Sequence, residues 1–121
     1  IQCDTSKIAY QLRYVASGHV YVAYSASRQY AKVGYSRAHP DERIAFLRNE
    51  LYGTSSDWEL KETSFLEKNA GQREFVIHAL LEPHRKPVTY EKYPGIFVEC
   101  REIFSCPQDV AIAAFRKALR V

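Results

Sequence analysis

Apolar and polar positions alternate with a period of two along His19–Tyr24 and again along Tyr30–Tyr35. Both runs are rich in valine and tyrosine, and the turn-like Ser25-Ala26-Ser27-Arg28 lies between them. That pattern predicts a β-hairpin. Side chains alternate across a strand, so Val20, Val22 and Tyr24 share one face with Ala31, Val33 and Tyr35 across the hairpin. His19, Tyr21 and Ala23 then share the other face with Tyr30, Lys32, Gly34 and Ser36. A four-residue connection places Tyr21 directly opposite Lys32. Gly34 beside them removes a side chain and lets a ligand approach the backbone. The plainer reading of the same pattern is an ordinary hairpin with its polar residues turned outward.

Downstream the period changes. Pro40 suits a first helical turn, Asp41-Glu42 suit the positive end of the helix dipole, and Ile44, Leu47 and Leu51 follow at helical spacing. The predicted helix runs to about Tyr52, where Gly53 stops it. Trp58–Phe65 reads as a third strand. Asn69 is placed to cap a second helix from Ala70 to Leu81, ended by Pro83. His84–Pro94, with prolines at 87 and 94, reads as loop, Gly95–Phe104 as a fourth strand, and Pro107–Arg120 as an amphipathic helix. Residues 1–17 form a weakly patterned lead-in before a single domain over 18–121. The fold class is α+β: a small, mostly antiparallel sheet of the hairpin plus a third strand, flanked by helices, with an extra C-terminal strand and helix.

Composition narrows the class without naming a function. The chain has 121 residues, 46% hydrophobic and 26% charged, with a formal net charge of +3. That is one domain with a real core, mildly basic, and compatible with a nucleic-acid partner. No apolar run approaches membrane-spanning length and no signal peptide opens the chain, so no membrane partner is expected. Cys3, Cys100 and Cys106 form no CxxC pair and suit a reducing, cytoplasmic setting better than a disulfide scaffold. They read as structural bystanders. The chain starts at Ile1 and contains no methionine, so it reads as a fragment or processed product whose flanks carry further function.

Two helical positions break the apolar pattern. At 100° per residue Glu74 falls between Ala70, Ile77 and Leu81, inside the apolar arc. A buried carboxylate there needs a cation or a metal as partner. His78, one turn on, is open to three roles: helper ligand, orienter of Glu74, or satisfied core histidine. Arg43 sits at the margin of its helix's apolar stripe, a place where arginine ordinarily snorkels or pairs with a carboxylate.

In order, these features resemble the GIY-YIG endonuclease superfamily over about residues 18–104. His19-Val20-Tyr21 stands for the first motif, and Lys32-Val33-Gly34, followed by Tyr35-Ser36, for the second. The likeness is greatest to the phage- and fungus-associated branch whose second motif begins with lysine, with an arginine on the next helix and a glutamate on the one after. Here those are Tyr21, Lys32, Arg43 and Glu74. Two positions depart from the pattern: His19 replaces the first glycine, with Gly18 next door, and Leu47 replaces the histidine that many relatives carry one turn after the arginine.

The resemblance implies a divalent-metal-dependent endonuclease acting on nucleic acid, with DNA the expected polymer. Glu74 would hold Mg²⁺ (or Mn²⁺), a hard cation that prefers oxygen ligands. Arg43 would donate to the phosphate oxygens of the transition state. Tyr21 would activate water; a free phenol has a pKa near 10, so the nearby Lys32 cation would favour its ionised form. Substrate grip would come from Arg37 and His39 and from the His84-Arg85-Lys86 cluster with nearby Tyr90, Lys92 and Tyr93, since basic residues contact phosphates and tyrosines stack on bases. Specificity would lie in a flanking segment or a further domain. The alternatives are a catalytically degenerate nucleic-acid-binding module on the same fold and an unrelated small α+β interaction domain.

Overall fold

The computed structural model describes residues 15–120; the cysteine at 3 and most of the lead-in lie outside them. The chain is α+β. Strand β1 (Gly18–Ser25) pairs with β2 (Tyr30–Ser36), helix α1 (Asp41–Asn49) follows, and β3 (Trp58–Leu66) returns alongside β1. Helix α2 (Ala70–Leu80) leads into a short 3-10 turn at Glu82–His84. Then come β4 (Val88–Tyr93), β5 (Ile96–Cys100), β6 (Ile103–Ser105) and helix α3 (Gln108–Leu119). The main sheet has the order β3-β1-β2-β6, with all its pairs antiparallel, and β4-β5 forms a separate two-stranded sheet.

The hairpin forms where alternation predicts it, one residue longer at the turn. Ser25 belongs to β1 and pairs with Tyr30, leaving Ala26–Gln29 as the connection. Two features fix this. The Ser25 hydroxyl is fully buried, donates to the Asp57 carboxylate and accepts from the Ser55 hydroxyl across the sheet end, while Gln29 takes a left-handed φ of 55° to close the loop. The register moves accordingly: Tyr21 lies opposite Gly34, and Lys32 opposite Ala23. Tyr21 and Lys32 are therefore diagonal neighbours on one face rather than the direct pair expected above.

Both faces of the sheet are buried. Val20, Val22, Tyr24, Ala31 and Val33 pack beneath α2 and α3 with Ile77, Leu81, Phe104, Ala111 and Phe115. On the opposite face Tyr21, Ala23 and Tyr30 pack with Ile44 and Leu47 of α1 and with Trp58, Cys100 and Ile103. The face expected to turn its polar residues to water is thus a second, smaller core, because α1 folds back over it.

Four details differ from the sequence reading. Helix α1 stops at Asn49, where Leu51 turns left-handed (φ 51°) ahead of a 3-10 turn at Tyr52–Thr54. Asn69 is left-handed too (φ 62°) and makes no side-chain cap; its backbone N–H donates to the Val15 carbonyl, and that of Ala70 to Ala16. The stretch read as loop holds β4, and the strand read as Gly95–Phe104 divides at Arg101-Glu102 into β5 and β6, which belong to different sheets. Pro87 precedes β4 and Pro94 sits in the β4–β5 turn, so both prolines bound the strand instead of excluding it.

Candidate active site

Tyr21 is fully buried, and a Cβ added to Gly34 would fall on its hydroxyl and ring edge. The glycine is therefore filled by the protein's own phenol, where the sequence suggested room for a ligand. Tyr35 lies across Gly18 in the same manner, its hydroxyl donating to the Ser17 carbonyl at 2.7 Å. The Tyr21 hydroxyl itself has no hydrogen-bond partner among the described residues. Two more buried polar atoms share this condition, His19 Nδ1 and Thr63 Oγ1. They are neighbours: Thr63 is directly opposite Tyr21 on β3, and His19 is two residues before it on β1. Buried polar groups are ordinarily satisfied, so three orphans in one patch set it apart from the rest of the sheet.

Lys32 lies on the same face. Its ammonium sits 5.7 Å from the Tyr21 ring centre and 5.4 Å from that of Tyr52, and pairs with Glu102 at 3.1 Å. Burial, the largest influence, works against its charge. The combined pull of Tyr21, Glu102 and Glu74 outweighs it and holds the lysine above its ordinary value. Lys32 is a fixed buried cation. Burial, together with Cys100 and Glu102, pushes the Tyr52 phenol well above its usual range, so that ring stays protonated beside it.

Glu74 is buried, as its helical phase requires. It reaches the site at a sheet edge. Strand β6 pairs with β2 only as far as Lys32↔Ile103, and beyond that point the Val33 carbonyl accepts from His78 Nε2 at 2.9 Å. The same nitrogen stands 3.7 Å from Glu74 Oε1. Donation to a carbonyl commits Nε2 to its protonated form and removes that atom from metal ligation. Burial keeps the imidazole below its ordinary pKa, although the Val33 bond and Glu102 pull the other way. His78 is thus a neutral donor that ties α2 to the edge of β2 and stands beside the carboxylate.

Arg43 is exposed on α1, its guanidinium 6.0 Å from the Phe46 ring. It lines an open cleft of about 270 Å³ with Ser36, Ala38, His39, Glu42 and Phe46. Ser36 is paired with His19, whose ring meets His39 at 5.7 Å, so the cleft opens beside the orphaned patch. Leu47 is buried under the sheet with Tyr21.

The remaining candidates separate. Arg37 and His39 are exposed near the cleft, with His39 Nδ1 3.3 Å from an Asp41 carboxylate oxygen. Arg85 is committed internally: it donates to Glu82 at 2.8 Å and to the Arg101 carbonyl, and lies over Phe104. Lys86 covers the Tyr30 ring, and its backbone N–H holds the Ile103 carbonyl, leaving His84 half-buried at the 3-10 turn. Lys92 pairs with Glu50 at 2.9 Å, and Tyr90 packs against the second core. Within this second basic group Arg85 and Lys92 are held by internal partners, while Lys86 is exposed. Sequence reasoning did not pick out Glu102 or Thr63. Thr63 carried a weak signal, a shared strand face with Phe65, whereas Glu102 acquires its role from a contact 70 positions away.

No group of three or more His, Cys, Asp or Glu residues among the described residues is arranged to hold a metal ion by itself, and Cys100 and Cys106 are free thiols in opposite cores. No described helix is long and apolar enough to cross a membrane. Comparison with protein-family models, with curated proteins and with solved structures finds no match to this chain.

Proposed function

We propose that the chain is a divalent-metal-dependent endonuclease of the GIY-YIG type that hydrolyses phosphodiester bonds in nucleic acid, DNA above all, within the cytoplasm or a cytoplasm it is delivered to. One observation carries this reading: the buried, unpartnered Tyr21 hydroxyl stands on one face with a fixed lysine cation, beside a cleft carrying Arg43. As base the Tyr21 oxygen would enter as phenolate, its charge met by Lys32 on the same face, and by taking a proton from water it would become the neutral phenol and leave the hydroxide that attacks phosphorus. Arg43, exposed and planar, is suited to the non-bridging oxygens of a phosphate as charge gathers on them. Glu74 offers one hard carboxylate, which is what Mg²⁺ ordinarily takes from a protein when phosphate and water complete its shell. Bound there, the ion would neutralise charge on the scissile phosphate. His78 holds the helix that carries Glu74 against β2.

Supercoiled plasmid with and without Mg²⁺ or Mn²⁺ tests the proposal, with the Glu74→Gln variant alongside. Metal-dependent nicking or linearisation that disappears in a folded Glu74→Gln protein is the expected result. Tyr21→Phe and Arg43→Ala should each slow turnover by about a hundredfold or more. Cleavage that persists in Glu74→Gln would sink the metal assignment. Salt-sensitive binding with no cleavage under any metal would select a binding module instead.

A further inference from the structure

Two large rings at the edge of the site belong to neither core. Phe65 is 56% exposed and Phe46 48%. They are linked by other flat groups. Phe65 leans on His19 with ring centres 5.1 Å apart, His19 meets His39 edge-on at 5.7 Å, and His39 shares the cleft with Arg43 and Phe46. A band of flat groups therefore runs from β3 across β1 to the cleft on α1, with Arg43 lining it and the exposed Arg37 next in sequence to Ser36 of the cleft.

From this band, and resting on the nuclease reading, we infer that the site takes an unpaired strand, its bases stacking on Phe65 and Phe46 while the arginines hold the phosphates. The bases of a regular duplex show only their edges in the grooves, and their faces are already stacked on one another. Half-exposed phenyl rings find no partner there. A single strand, a flap or a splayed junction offers base faces, and aromatic rings with arginine are the groups that engage them. The His19 Nδ1 and Thr63 Oγ1 orphans are buried beside the same band.

The test is binding without metal, so that it stands apart from turnover. Oligonucleotides carrying 2-aminopurine, as single-stranded DNA, single-stranded RNA and duplex DNA of one sequence, are titrated against wild type, Phe46→Leu and Phe65→Leu. Leucine keeps the apolar bulk and removes the ring. Single strands should bind at least tenfold tighter than duplex, with 2-aminopurine fluorescence changing on stacking. Each variant should lose about tenfold more affinity for single strands than for duplex. The two single-stranded arms show which sugar the band accepts. Duplex bound as tightly as single strand, or variants weakening both alike, would overturn the inference while leaving metal-dependent cleavage untouched. A wild-type dimer in sedimentation that the leucine variants dissolve would also overturn it, since the band would then face a second copy. Failure of every nucleic acid to bind would remove the nuclease reading with it.

Discussion

Gly34→Ala tests whether Tyr21 is seated as firmly as the site requires. Gly34 does not lie in the left-handed region, so a methyl group is conformationally tolerated and by itself would stabilise by about 0.4–1 kcal/mol through the unfolded chain. Against this stands its position: the new Cβ meets the Tyr21 hydroxyl, Cζ and Cε1. On a surface the far end of a ring would swing aside at little cost. Here the ring is fully buried, with Thr63 opposite on β3 and Ile44 and Leu47 in the same cluster, so overpacking of about 1–3 kcal/mol applies. Overpacking wins, for a net loss of about 1–2 kcal/mol. That lowers the melting temperature by roughly 3–10 °C in a domain of this size. Turnover should fall further, since misplacing a reacting group by about an ångström costs around a hundredfold. The assay is a double-mutant cycle with Tyr21→Leu, which removes the three atoms the methyl would meet, read by urea or thermal unfolding. In the leucine background Gly34→Ala should be neutral or stabilising. An equal cost in both backgrounds, or a change under about 0.5 kcal/mol with Tyr21 present, would refute the argument.

Lys32→Met should separate chemistry from stability. Removing one partner of a fully buried ion pair costs several kcal/mol because the other charge is stranded, but Glu102 is 39% exposed at its side chain and can rehydrate, so unfolding should move by no more than about 1–2 kcal/mol while cleavage is lost; a variant with wild-type turnover would remove Lys32 from the mechanism. Asp57→Asn should flatten the acid limb of stability. Hydrogen bonds from Ser25, then from the Ser27 backbone, hold the Asp57 carboxyl below its usual range, so its contribution is present above the unfolded carboxylate value and lost as pH falls through the lowered folded one; unchanged curves of stability against pH below about 4 would contradict this.

How much of this was legible depended on whether the signal was local. The hairpin and the burial of Glu74 follow from periods of two and 3.6, which a single strand or helix carries by itself. The register did not, because the position of the four-residue loop turns on Ser25 reaching Asp57 and on one left-handed residue at Gln29, neither of which a polar run announces. The second core was hidden for a related reason: Tyr21 and Lys32 look like an outward face until α1 folds over them. Strand β4 was lost to its prolines, although Val88 and Tyr90 alternate with Thr89 and Glu91 as a strand should.

The early end of β6 is what brings distant residues to Lys32. A longer β6 would carry its ladder past Lys32 and cover the edge of β2 at Val33 and Gly34. The Val33 carbonyl would then be satisfied by backbone, His78 would have no acceptor there, and α2 would lose its tie to that edge. Because pairing stops at Lys32↔Ile103, the chain turns at Arg101-Glu102, and Glu102 reaches Lys32 from one side while His78 and Glu74 close in along the edge. A buried lysine is costly without such company. Its raised pKa, with contributions from Tyr21, Glu102 and Glu74 together, follows from a strand of three residues where five would have sealed the edge.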